Sequence, residues 1–235
     1  MKKTLMLLGM LTGCTILPLV KEKDALEDVV RGYDNSTSRV SDESIKKELA
    51  CTYMAEVSQG HGSCVAFAKD LYGTYFLTAA HVMGDEKFAM ISNGDVNGMG
   101  VNTSVAATVR MIDGKNDVAV LFAESLAFNT YEVYARNLLE SGDAVHATGF
   151  PSVLGKMVTG GLINRVDDRY FLSDAVLNPG NSGGPIFVFE DGVPALAGLG
   201  EFMARGTYGL YGFIPFSKVL ESLTSAGLEH LLGEF

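Results

Sequence analysis

The segment Asn178-Pro179-Gly180-Asn181-Ser182-Gly183-Gly184-Pro185 is where this sequence is best equipped for chemistry. A nucleophilic serine needs its Oγ exposed on a tight turn, with backbone N–H groups facing the oxyanion that develops during attack. Glycines at 180, 183 and 184 allow the backbone angles and close substrate approach of such a turn. The N–H groups of Gly180 and Ser182 are the candidate donors of that oxyanion hole. Standing alone, the segment could also be a structural Gly-Asn turn between strands, which is common. Two further segments weigh against the plain turn. Phe76-Leu77-Thr78-Ala79-Ala80-His81 sets a histidine after an apolar strand and two small residues, which let the backbone pack closely behind a partly exposed imidazole. Asn116-Asp117-Val118-Ala119-Val120-Leu121 sets an aspartate at the mouth of an apolar strand, buried enough to hold a histidine Nδ1–H. A buried carboxylate without such a partner would be costly. Asp113 competes, but Asp113-Gly114 reads as a turn, so Asp117 is preferred. His81, Asp117 and Ser182 are together the parts needed for nucleophilic acyl transfer.

The remaining histidines carry less. His146 lies in an apolar strand and reads as a satisfied core residue. His61, in Gly60-His61-Gly62, reads as a solvent-facing turn residue that could border the site, and His230 falls in the tail. No spacing of His, Cys and carboxylates suggests zinc, so no metal is expected.

The elements that must position these groups are short. Six strands are predicted at 52–58, 63–68, 72–77, 87–92, 104–111 and 118–123, and six more at 144–149, 157–164, 169–174, 185–189, 194–200 and 208–214. A less regular stretch, 124–140, separates the sets. Two groups of short strands with Gly, Asn and Asp turns predict an all-β fold of two barrels, about 50–125 and 140–215. Residues 217–232 have helical apolar spacing interrupted near Gly227 and predict a C-terminal helix. No internal repeat is visible.

The order histidine, aspartate, serine is that of chymotrypsin-like enzymes. The chain resembles the trypsin-like serine peptidases, most closely the bacterial Deg (high-temperature-requirement) branch. Further likeness lies in Val158-Thr159-Gly160-Gly161-Leu162-Ile163, Asp174-Ala175-Val176-Leu177 and Tyr211-Gly212-Phe213-Ile214-Pro215. It spans about 62–219. The resemblance implies two Greek-key six-stranded β-barrels, a Ser182 nucleophile, His81 as general base and then acid, and Asp117 orienting His81. It implies a polypeptide substrate cut through an acyl-enzyme, and no metal or organic cofactor. It also implies that Val176, six residues before the serine, floors the primary pocket. That disfavours basic residues and favours a small or medium apolar side chain before the scissile bond. Leu199, Gly200, Glu201 and Phe202 would pair with substrate backbone, and Phe213 would narrow the pocket. Many Deg proteases carry a PDZ domain after the protease domain. Here only a short helix follows, so regulation by such a domain is not carried over, and no activation cleavage followed by Ile-Val is present.

Residues 1–13 read as a signal peptide: Lys2 and Lys3, an apolar run, then Leu11-Thr12-Gly13-Cys14. That last group looks like a lipobox, with Cys14 as the lipidated residue. An ordinary signal peptide with a chance cysteine is the alternative. The polar stretch 14–49 reads as a tether to a domain at 50–235. The expectation is an exported lipoprotein, periplasmic or at the cell surface. A net charge of −10 disfavours nucleic acid as a partner. Cys51 and Cys64 are two candidates for a disulfide, but a tight hairpin around Gly60 would set Cys64 opposite Ala55, so free buried thiols are as well supported. Two other functions share the residues: a non-catalytic peptide-binding module, and an esterase.

Overall fold

Alternating apolar residues in short runs become strands when at least one face has a core to cover. The computed structural model describes residues 42–94, 104–131, 139–152, 155–190, 193–203 and 208–233, all within the compact unit Val40–Phe235. The signal peptide, Cys14 and most of the expected tether lie outside the described residues. Strands β1 (Thr52–Val57), β2 (Gly60–Lys69), β3 (Thr74–Ala79), β4 (Phe88–Ser92), β5 (Val105–Asp113) and β6 (Val118–Ala123) close one antiparallel barrel in the order β1-β2-β3-β6-β5-β4. Strands β7 (Ala144–Gly149), β8 (Met157–Val166), β9 (Phe171–Ser173), β10 (Pro185–Glu190), β11 (Val193–Met203) and β12 (Tyr211–Pro215) close a second. Its cyclic order, β7-β8-β9-β12-β11-β10, repeats that of the first barrel six strands later. The all-β, two-barrel architecture expected from the sequence is the one present.

β6 shows how one strand serves both barrels. Ala119, Leu121 and Ala123 face the interior of the first barrel, with Phe76, Tyr53 and Phe128 in edge-to-face contact around them. Val118 and Val120 face the other way, into a cluster shared with Phe187, Leu196, Leu199 and Ile214 of the second barrel. The C-terminal helix α3 (Phe216–Ser225) packs Phe216, Val219 and Leu223 onto that same cluster. Each fully buried side chain of this size contributes about 1.5–3 kcal/mol. Gly227, at φ 70°, ends the helical run before a 3₁₀ turn at Glu229–Leu232. His230 sits exposed in that turn, its Nδ1 3.1 Å from the Gly227 carbonyl.

Two expectations are corrected. Helix α1 (Asp42–Cys51) occupies the last part of the stretch expected as tether. It buries the polar Ser44 and Glu48. Glu48 Oε2 lies 3.1 Å from His146 Nδ1 on β7, and Lys156 Nζ donates to the Leu49 carbonyl at 2.7 Å. Burial pushes the Glu48 carboxyl up and the Lys156 ammonium down to about 8. The β1–β2 register is also two residues off the expected one: Val57 pairs with Gly60 and Tyr53 with Cys64, because the turn is Ser58-Gln59. Cys51 and Cys64 are both free and buried, and burial pushes the Cys51 thiol up to about 12.

Candidate active site

β3 ends at Ala79, which pairs with Val118, the first residue of β6. His81 is therefore two residues past one strand end and Asp117 one residue before its neighbour, on the same barrel rim. The short helix α2 (Ala80–Met83) starts there, and the Asp117 carbonyl accepts its Ala80 N–H at 3.0 Å. Asp117 Oδ1 accepts the His81 backbone N–H at 2.8 Å, and Oδ2 lies 2.6 Å from His81 Nδ1. This double hold needs Asp117 at φ 55°, a left-handed conformation that aspartate and asparagine tolerate better than most residues. Asp113, the competing carboxylate, caps its own turn by accepting the Lys115 and Asn116 N–H groups and the Ser222 hydroxyl.

The serine turn comes from the second barrel, just before β10. Asn181 N–H closes onto Asn178 O and Gly184 N–H onto Asn181 O, both at 2.9 Å. Gly180 sits at φ 102° and Gly183 at φ 79°. The first barrel holds the turn in place, because Ser63 N–H on β2 donates to the Ser182 carbonyl at 2.8 Å. No cis peptide is present among the described residues, so the N–H of each peptide points opposite its carbonyl. The Pro179 carbonyl accepts Ser152 N–H, and the Asn181 carbonyl accepts Gly184 N–H. Gly180 and Ser182 N–H are thereby aimed away from those partners, and neither has a hydrogen-bond acceptor among the described residues. The Ser182 hydroxyl donates to the Glu201 carbonyl at 3.4 Å. A candidate general base, its orienting carboxylate, a hydroxyl and two unengaged N–H donors are thus supplied from two barrels.

A family profile for the trypsin-like peptidase domain matches residues 62–195. The chain belongs to that family. Among its relatives, a probable periplasmic DegP-like serine endoprotease of Pseudomonas fulva is 27% identical over 172 residues, which cover 70% of this chain and 34% of that protein. Protease Do-like 8, a chloroplastic protein of Arabidopsis thaliana, is 30% identical over 72% of this chain and 42% of its own length. The serine protease Do-like HtrA of Bacillus subtilis is 28% identical over 71% of this chain and 40% of its own. The chain therefore spans about a third to two-fifths of these curated relatives. A solved serine endoprotease from Yersinia pestis superposes with a TM-score of 0.66 at 23% identity, covering 79% of this chain and 65% of that one; the likeness shows the fold.

Within that trypsin-like frame, Glu201 brings a second carboxylate to the site. It is half-buried and, with Asp117, Lys115 and Arg169, lines a cavity of about 300 Å³. Burial, then the charge of Asp117, raises its pKa, while His81 opposes the shift. His81 in turn is raised, first by its hydrogen bond to Asp117, against burial, and further by the charges of Asp117 and Glu201. Its proton is thus held to higher pH than in a free histidine, near 6.5. A general base works only when neutral. The acidic limb of kcat/KM is therefore expected above about pH 6.5, and Glu201→Gln should move it to lower pH, since one raising charge is lost. A pH–rate profile of the two proteins measures this; an unmoved limb would exclude Glu201 as an influence on His81.

The substrate-side residues divide. Val176 is 40% exposed, with its carbonyl accepting the Thr159 hydroxyl at 2.8 Å. Phe213 is wholly buried and stacked on Phe171 in the second barrel's core, with ring centroids 5.2 Å apart. Leu199 is a correction: it is fully buried, and its backbone pairs with Pro185 on one side and Ile214 on the other. Gly200 is likewise used on both sides, by Phe213 and by Gly183 and Gly184. β11 is thus engaged on both sides as far as Gly200. The side chain of Phe202 lies outside the described residues. His61 is a second correction. It sits on β2 opposite Glu56, and its Nε2 lies 3.1 Å from the Phe150 carbonyl, beside Gly180. Gly60 and Gly62 on either side of His61 suggested a turn, but β2 starts at Gly60 and runs on through Gly62, where a Cβ would lie 2.6 Å from Val82 and 2.9 Å from the Ser182 carbonyl.

Proposed function

We propose that this chain is a serine endopeptidase in which Ser182 attacks a peptide carbonyl. The His81–Asp117 pair, with a serine turn whose Gly180 and Ser182 N–H groups have no acceptor among the described residues, carries the reading. Rotation of the Ser182 hydroxyl from Glu201 to His81 Nε2 prepares the attack. His81 accepts the proton as Oγ bonds to the carbonyl carbon, and Asp117 stabilises the imidazolium. The carbonyl oxygen becomes an oxyanion received by Gly180 and Ser182 N–H. His81 then gives the proton to the leaving amine, an acyl-enzyme remains on Ser182, and water reverses the sequence to release the acid. Val176 in place of a carboxylate supports cleavage after a small or medium apolar residue. The basic start, the apolar run and Leu11-Thr12-Gly13-Cys14 support an exported protein held to a membrane by lipid on Cys14.

A fluorophosphonate probe on the protein, with the adduct located by peptide mass spectrometry, tests the reaction. The expected adduct is on Ser182 and is absent from Ser182→Ala and His81→Ala. A folded protein without adduct would instead support the latent alternative, in which the groove only binds peptide. The Ser182 hydroxyl resting on Glu201 is the observation that favours it. A cleavage profile dominated by basic or acidic residues before the scissile bond would overturn the pocket assignment.

A further inference from the structure

A serine turn rich in glycine is free to misplace its own donors, so something outside it must fix the peptides on either side of Gly180. Two serines from distant parts of the chain touch those peptides. Ser63, wholly buried on β2, donates its hydroxyl to the Gly180 carbonyl at 2.7 Å and accepts the Phe150 N–H at 2.9 Å. Its backbone N–H holds the Ser182 carbonyl, and its carbonyl accepts the Thr78 hydroxyl at 2.8 Å. Every polar group of Ser63 is thus used, and three of its four hydrogen bonds go to the second barrel's loops. Ser152 holds the preceding peptide: its N–H and hydroxyl both donate to the Pro179 carbonyl, at 2.9 and 3.2 Å. To do so it adopts φ 49°, a costly conformation for serine that persists only where its surroundings impose it.

We propose that Ser63 is a positioning residue of the oxyanion hole, acting with Ser152 to fix the orientation of the peptides flanking Gly180. The inference rests on the endopeptidase reading for its kinetic consequences, but not for its structural one. With the Pro179 carbonyl held by Ser152, the Gly180 N–H of the same trans peptide points the opposite way. With the Gly180 carbonyl held by Ser63, the next N–H, of Asn181, turns back to close the serine turn. Phe150 links the two clamps, because Ser63 fixes its N–H and His61 its carbonyl, two residues ahead of Ser152. The hole is set before substrate arrives, by contacts that join the first barrel to the second. Ser63 touches neither substrate nor oxyanion and acts only through Gly180.

The test is steady-state kinetics of Ser63→Ala and Ser152→Ala with a peptide anilide, beside binding of a matched peptidyl boronate. Removing an oxyanion donor outright lowers kcat about 10²–10³-fold, and a donor left free to turn away should lose part of that. Ser63→Ala should therefore lower kcat by about 10–100-fold with KM changed less than about twofold, because the donors engage the oxyanion and not the bound substrate. Boronate affinity should fall by a similar factor. Ser152→Ala keeps the backbone N–H clamp and should lose several-fold in kcat. Unchanged kcat in folded Ser63→Ala, or a change confined to KM, overturns the proposal. Should Ser63→Ala fail to fold, Ser152→Ala decides alone, an unchanged kcat counting against the clamp. Should the wild-type protein turn over nothing, crystals of wild type and Ser63→Ala decide instead. A Pro179–Gly180 peptide that turns only in the variant supports the clamp, and one that keeps its orientation in both refutes it.

Discussion

Asp117→Asn should lower kcat about 10⁴-fold in a protein that remains folded. The reasoning is local. Asp117 Oδ1 accepts the His81 backbone N–H and Oδ2 faces Nδ1 of the same residue. In asparagine one oxygen survives and keeps the backbone N–H, so the amide NH₂ must replace Oδ2. A donor then faces Nδ1, which can only answer as an acceptor. The ring proton moves to Nε2, the nitrogen that should receive the Ser182 proton, and the base is lost. The fold is spared because asparagine is among the residues best suited to φ 55°. Asp117→Ala is the informative contrast. It loses the acceptor for the His81 N–H and places alanine in a left-handed conformation, which costs about 1–2 kcal/mol by itself. It should lose stability as well as activity. Steady-state rates with thermal melts of both variants read the difference, and an asparagine variant within tenfold of wild type would remove Asp117 from the reaction.

The raised His81 pKa has a consequence for stability too. A group whose pKa is higher folded than unfolded contributes stability that is fully present below its unfolded value, about pH 6.5, and fades as pH rises through the folded one. Activity and this part of stability therefore run in opposite directions across the same interval. The neutral His81 that can take the Ser182 proton is the form that holds Asp117 less strongly.

Legibility in the sequence followed the range of each interaction. Strands 118–123 and 144–149 could be read to the residue because each starts from a polar turn, the first as an unbroken buried apolar run and the second as small and apolar residues alternating with His146 and Thr148. The His81, Asp117 and Ser182 segments were legible for the same reason: their signal lies within a few residues. Helix α1 was not. Its buried positions are Ser44, Glu48 and Cys51, and the partner that makes Glu48 tolerable is His146, 98 residues away. No periodicity of apolar residues marks such a face. Ser63 was overlooked because nothing in Gly62-Ser63-Cys64 announces that its hydroxyl reaches Gly180, 117 residues on. The shared strand order of the barrels was equally hidden. It is a repeat of topology, and the side chains filling the interiors differ: Tyr53, Phe76 and Phe128 in one, stacked Phe171 and Phe213 in the other.

Gly183→Ala should lower stability by about 2–5 kcal/mol when the left-handed cost and overpacking are added. Gly183 holds φ 79°, and an added Cβ would lie 2.2 Å from Thr78 Oγ1, 2.5 Å from the Ser63 carbonyl and 2.7 Å from Ala79 N. Two of those atoms are backbone in the first barrel and cannot swing aside. The third is the hydroxyl that donates to Ser63 O, so yielding there breaks a buried hydrogen bond. The methyl must push the barrels apart at the point where the serine turn meets β2 and β3. Gly209→Ala separates the causes: φ is 76°, nearly the same, but nothing lies within 4 Å of its Cβ. That variant should lose only the dihedral cost of about 1–2 kcal/mol and keep its activity. For a domain of this size each kcal/mol lowers the melting midpoint by about 2–4 °C, which places the two variants well apart in a melt. Equal losses would mean that the barrels yield freely around Gly183. The hole's donors would then depend on the turn itself and not on the first barrel pressed against it.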